Sequence, residues 1–303
     1  MGIKTIARAM LPKELVSLYK NIKYNRNKIL RTLQKNHAGI IDSFREKKNI
    51  VPPPPPDKPY IVWTCWWQGE RNMPEVVKMC YNQLNKNANG HRVIVITKEN
   101  YKEYISLPEY ILEKVEKKMI TITHLSDILR ACLLYTYGGL WIDSTVFTTS
   151  PLPEFTPETE LYSLRRLNDA NYVSRSRWTA FLFYANKGNL LFEYLMTIFF
   201  EYWKTNNTMI DYFLIDDSIA IAYNEIADVA RMIEHIPHSN RYVHWLCANL
   251  NNEFNAKDYN ELTGGACFHK LSYKEKYCES VNGKLTYYGY IARENKGEPC
   301  PVP

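Results

Sequence analysis

The chain has 303 residues, 46% hydrophobic and 14% aromatic, which excludes a disordered protein and supplies core for one large domain or two small ones. Its formal charge of +6 is uneven: residues 1–50 hold 12 Lys/Arg against 3 acids, and the other 253 residues hold 26 basic and 29 acidic side chains. A slightly acidic body argues against a nucleic-acid enzyme, whereas the basic N-terminal segment suits an anionic surface.

Seven cysteines (Cys65, Cys80, Cys132, Cys247, Cys267, Cys278, Cys300) show no C-x-x-C spacing. That argues against a structural zinc site and for reduced, buried thiols. No stretch reaches the ~18 apolar residues of a membrane span, and no apolar leader opens the chain. The expected location is cytoplasmic, free or peripheral on the inner face of the cell membrane.

Along residues 1–50, Ile3, Ile6 and Met10, then Leu15, Leu18, Ile22 and Ile29, recur at helical steps between Lys and Arg. Pro12 suits the first turn of the second helix. Such a basic amphipathic arm either lies in a membrane interface or packs its apolar stripe on the body. "VPPPPPD" makes 51–58 an extended, semi-rigid linker, and the body follows from 59 to 303.

The body alternates. Strands are expected at 60–64, 92–97 and 140–147, and helices at 73–87, in two stretches over 99–118, and at 123–137, the last capped by Thr123 and stopped at Gly138-Gly139. A strand at 179–185, helices at 189–204 and 211–226, and a tight turn at 263–270 complete the reading. The alternation predicts an α/β fold with a parallel, Rossmann-like sheet and ligand chemistry at the carboxyl ends of its strands.

One carboxylate, Asp143, sits inside the apolar run "YGGLWIDSTVF". Burying it requires a partner, and a metal ion is one candidate. Asp127 and Arg130, three apart on the preceding helix, share a face. Together the three offer a hard oxygen ligand, a forked donor for phosphate or sugar oxygens, and an acceptor for hydroxyls. The competing reading is an ordinary ion pair and a turn-capping aspartate. Asp216 and Asp217 open a later helix, where acids complement the dipole. Asp216 is also a candidate for the reacting centre.

The block "HLSDILRACLLYTYGGLWIDSTVF" resembles the SD-x-x-R…YGG-x-(Y/W)-x-D-x-D block of D-x-D glycosyltransferases, including glycosyltransferase family 32. "PYIVWTCWWQG" is similar to the first strand of the bacterial capsular polysaccharide synthesis proteins in that group. The resemblance covers about 58–149 and returns at "FHKL", 268–271.

It implies a GT-A fold, a nucleotide-sugar donor such as a UDP-sugar, a glycan or lipid-linked glycan acceptor, usually Mn²⁺ or Mg²⁺, and retention of anomeric configuration. By position, it implies that Asp127 and Arg130 bind the donor sugar, Asp143 the metal, and that Thr64 to Gly69 covers the nucleotide. Trp66 or Trp67 would then stack on the base, unless both belong to the core. The second acid of D-x-D is Thr145 here, which leaves Asp143, the diphosphate and His269 to complete a metal shell, with Lys270 on phosphate. His269 is otherwise a structural histidine. Two alternatives follow: a phosphosugar transferase, and a catalytically weak nucleotide-sugar-binding protein.

Overall fold

The computed structural model describes residues 13–50, 59–156, 158–165, 173–239 and 242–298. The start of the basic arm, the polyproline linker and Cys300 lie outside them.

Helices α1 (Lys13–Asn36) and α2 (Ala38–Arg45) lead into the body. Leu33, Ile41 and Phe44 are buried in the main core, and Phe44 meets Tyr194 edge-on at 5.5 Å. Several of the basic groups here pair with acids of the body: Arg26 with Asp211 and Asp217, Arg45 with Glu225, Lys47 with Glu193.

Strand β1 (Ile61–Cys65) is followed by α3 (Glu75–Lys86) and β2 (Arg92–Ile96). The expected pair of helices over 99–118 is one short 3-10 turn, Tyr101–Glu103, and α4 (Glu109–Glu116). Next come α5 (Ile122–Tyr137) and β3 (Gly139–Ile142). Thr121, rather than Thr123, caps α5: its hydroxyl accepts from the His124 amide.

The expected strand 140–147 is two strands in two sheets. It breaks at Asp143, where the Val146 amide closes a turn on the Asp143 carbonyl at 2.9 Å. The chain resumes as β4 (Val146–Thr148).

Strands β5 (Leu161–Ser163) and β6 (Leu182–Ala185) complete the main sheet, in the order β2-β1-β3-β6-β5. β1 is parallel to β2 and β3, and β6 runs antiparallel to β3 and β5. Alternation along the strands splits the core. Trp63, Trp141 and Phe183 face one layer; Val62, Leu140, Ile142 and Leu182 face the other. Both faces are covered, as parallel sheets require.

Helices α6 (Leu190–Thr205), α7 (Leu214–Glu225) and α8 (Ala227–Glu234) back the first layer. Beyond them lie α9 (Trp245–Asn249), α10 (Ala256–Gly265), β7 (Phe268–Lys270), the small pair β8 (Ser280–Val281) and β9 (Lys284–Leu285), and α11 (Tyr287–Lys296). The expected tight turn at 263–270 is the end of α10 followed by β7, which pairs antiparallel with β4. Among the described residues no helix is long and apolar enough to cross a membrane.

Candidate active site

Asp143 owes its position to two glycines. Gly138 ends α5 at φ +70°, and Gly139 opens β3 at φ +99°, a region that favours glycine. A Cβ on Gly139 would lie 2.3 Å from the Ile61 carbonyl oxygen, so β3 approaches β1 at a distance only glycine permits. The short reversal returns the chain from α5 directly into the sheet. Asp143 emerges from the carboxyl end of β3, next to the carboxyl end of β1. The chain leaves β1 for β2 on one side and crosses to β3 on the other, and open α/β sheets hold ligands at such a switch point.

The three residues of the motif form one bonded unit. Arg130 donates from Nη1 to Asp127 Oδ1 and from Nη2 to Asp143 Oδ1, both at 2.9 Å. Trp141 Nε1 donates to the same Asp143 oxygen at 2.9 Å, and Lys270 Nζ donates to Asp143 Oδ2 at 2.8 Å. Burial works to raise the Asp143 carboxyl; Lys270 and then Arg130 outweigh it and hold the group below the ordinary carboxylate range. The surface-pair reading of Asp127 and Arg130 fails, because both are buried.

The unit extends inward to a residue the sequence did not flag. Trp203 Nε1 donates to His124 Nε2 at 2.9 Å, so His124 offers the proton on Nδ1 to Asp127 Oδ2 at 3.3 Å. A donor with a fixed tautomer thereby orients Asp127.

Above Asp143 lies a cleft of about 330 Å³. The loop Cys65–Gln68 after β1 forms one wall, and Ile122, Thr123 and Ser126 of α5 the second. The loop Lys270–Lys274 after β7 forms the third, with Trp141, Ser144, Thr145 and Tyr212 completing the lining. Trp66, Trp67, Asp143, Thr145 and Lys270 thus reach the cleft. Trp66 stands edge-on to Tyr273 at 5.3 Å, and Trp67 leans on Tyr101 at 5.2 Å. Thr64 is buried beneath the loop, and Gly69, at φ +87°, turns the loop into a 3-10 helix. Cys65 is inert here: burial, helped by the Asp143 charge, pushes its thiol up to about 12.

Asp216 accepts from Trp178 Nε1 at 2.8 Å and stands close enough to sense Asp127 and Arg130. Burial pushes its carboxyl up to about 6; the Trp178 hydrogen bond works against this and the Asp127 charge with it. Asp217, the next residue on α7, is buried and turned to Arg26, which donates to both its oxygens at 2.9 Å. It is a structural ion pair rather than a plain dipole complement.

His269 is placed elsewhere. It is fully buried, and its Nε2 lies 3.2 Å from the Ala266 carbonyl and 3.3 Å from the Thr149 hydroxyl. Neighbours on a strand point to opposite faces, so when Lys270 reaches Asp143, His269 turns away from the cleft. Burial also lowers its imidazole to about 4.

Sequence reasoning missed His124, Tyr212, Tyr273 and Lys274. The last three stand on loops whose approach to Asp143 has no local signature.

The chain matches the family described as capsular polysaccharide synthesis protein over residues 13–291. The chain belongs to this family. The family match takes in α1 and α2 as well as the sheet, so the N-terminal helices are within the capsular polysaccharide synthesis unit. Two solved glycosyltransferase structures are similar in outline. PaToxG glycosyltransferase is 10% identical, with a TM-score of 0.40, over 82% of this chain and 99% of that one. The bifunctional glycosyltransferase WbbM, as its apo structure, is 10% identical, with a TM-score of 0.41, over 80% of this chain and 50% of that one. The chain therefore spans half the length of WbbM. No curated protein matches it.

Proposed function

We propose that this capsular polysaccharide synthesis protein is a GT-A glycosyltransferase. It moves a sugar from a nucleotide-diphosphate sugar, a UDP-sugar in the first instance, to a hydroxyl of a growing glycan, free or lipid-linked. The observation that carries the reading is the Asp127–Arg130–Asp143 unit under an aromatic-walled cleft at the switch point of the sheet. The resemblance gives Asp127 and Arg130 the donor sugar; both lie buried beneath the cleft, where Arg130 ties Asp127 to Asp143 and so orients the carboxylate that lines it. Trp66 or Trp67 supplies a face for the base. Lys270 neutralises the departing diphosphate, and fixed charge at the place where charge develops is the strongest means such a site has. Asp216 stands close to this unit and is the candidate for a role at the acceptor or the reacting centre.

The test is thermal stabilisation of the full chain by a panel of nucleotide sugars, followed by analysis of products. Binding to the folded state raises Tm by mass action, so a shift names the donor. Asp143→Ala should lose the shift, and a panel without any shift would overturn the reading. Release of a nucleoside diphosphate shows transfer of the bare sugar; release of a monophosphate would show transfer of a sugar phosphate instead. The product's anomeric configuration checks the retention that the resemblance implies.

We also infer a peripheral membrane contact through Lys28, Arg31 and Lys35, an exposed basic stripe on α1. Reversing those three charges should abolish co-sedimentation with anionic liposomes. Unchanged sedimentation would remove the inference.

A further inference from the structure

We propose that the donor's diphosphate is held by protein cations, Lys270 and Lys274, and not through a divalent metal ion. The inference rests on the nucleotide-sugar reading above. It departs from the metal that the D-x-D resemblance implies.

The donor set is the first argument. A hard divalent ion needs several free oxygen ligands at about 2.0–2.6 Å. Asp143 is largely committed: Oδ1 accepts from both Arg130 and Trp141, and Oδ2 already accepts from Lys270. Two of these donors are cationic, so a metal at Asp143 would replace a salt bridge and face two positive charges at close range. Position 145 supplies a hydroxyl in place of the second acid, and His269 is buried on the far side of β7. Among the described residues no three His, Cys, Asp or Glu side chains gather where they would hold an ion.

Charge balance is the second argument. Among the described residues Asp143 is the one carboxylate lining the cleft, and Lys270 and Lys274 bring two ammonium groups to the same wall. The lining is therefore net positive before any ion enters, as a diphosphate requires. Lysine has three N–H donors. With one on Asp143, Lys270 keeps two for phosphate oxygens, so the ion pair positions the lysine instead of exhausting it. Lys274, exposed at the mouth, adds a second point charge. Asp143 then acts by aiming Lys270 at the ligand, a positioning role.

The experiment is calorimetric titration of UDP, GDP, CDP and ADP into the full chain, once in EDTA and once in Mn²⁺. Equal affinity in both buffers for whichever diphosphate binds is the expected result. Binding in Mn²⁺ that disappears in EDTA overturns the inference and leaves the nucleotide-sugar reading intact. No binding of any diphosphate in either buffer overturns both. Lys274→Met, at an exposed loop position whose side chain makes no hydrogen bond or ion pair among the described residues, should weaken binding in EDTA by about tenfold, the loss of one charge-assisted contact. Lys270→Met should weaken it by more, with the fold checked by circular dichroism because Asp143 loses a partner. Unchanged affinity in Lys274→Met and in a folded Lys270→Met would refute the lysine assignment.

Discussion

Arg130 binds two carboxylates at once, and its value is largest as the group that cannot be removed. Arg130 and Asp127 are both buried, so Arg130→Ala leaves Asp127 charged in the interior and strips Asp143 of one of its two cations. Breaking a buried pair from one side costs about 3–5 kcal/mol. Urea unfolding of Arg130→Ala should show a loss of that size; a loss below 1 kcal/mol would reduce the unit to a surface pair.

Asp216 gives a pH signature at the same scale. Its carboxyl is raised from an ordinary 3.8 to about 6. Between those values the folded chain keeps a proton that the unfolded chain has shed. Stability from this group is therefore full below about pH 4, falls as pH rises towards 6, and is flat above. Asp216→Asn should remove that component from denaturation midpoints measured across the window, and an unaltered slope would count against it. The residues in the Asp127–Asp143 block were legible because they lie 16 positions apart at most and share one helix, one turn and one strand. Lys274 and Tyr273 were not, because only the pairing of β7 with β4 brings a loop more than a hundred positions away to the same carboxylate.

At the scale of elements, the hinge between α5 and β3 decides whether the site exists. Gly139→Ala would demand φ +99° of an alanine and place its Cβ 2.3 Å from a backbone oxygen. The positive φ alone costs about 1–3 kcal/mol, and the clash forces β3 away from β1, so the total should exceed that range. Circular dichroism melts should show a Tm drop of roughly ten degrees or more, with loss of nucleotide-sugar stabilisation in any folded fraction. A variant melting like the parent would show that β3 has room to shift.

The elements themselves were legible where hydrophobic periodicity is strong, as in β1, β2 and α5. The break at Asp143 was not. "LWIDSTVF" stays compatible with one strand, and only a partner distant in sequence, β7, shows that Val146–Thr148 belongs to a second sheet. The cap of α5 slid from Thr123 to Thr121 for a related reason. Both are threonines before an apolar run, and the choice depends on which hydroxyl meets an amide three residues on.

For the molecule as a whole, the basic N-terminal helices were the least determined part of the sequence. Amphipathicity and charge describe a helix on a membrane and a helix on a protein equally well. In the structure Ile29, Leu30, Leu33, Ile41 and Phe44 are spent inward and several cations are spent on body acids, while Lys28, Arg31 and Lys35 stay outside. The inward face packs on the body, and the outward face is the one that the proposed membrane contact uses.

That division predicts opposite results for two manipulations. Deleting residues 1–50 uncovers the surface that Leu33, Ile41 and Phe44 close, and also removes Arg26 from the buried Asp217. Burial of one such side chain contributes about 1.5–3 kcal/mol, so three of them rival the roughly 5–15 kcal/mol that holds a domain together. The truncated chain should lack a cooperative melt and a near-ultraviolet circular dichroism signal. Reversing Lys28, Arg31 and Lys35 should leave the melt unchanged, because those side chains meet solvent. A truncated chain that melted cooperatively near the parent's Tm would make α1 and α2 a detachable arm, and would return the whole basic segment to the membrane reading.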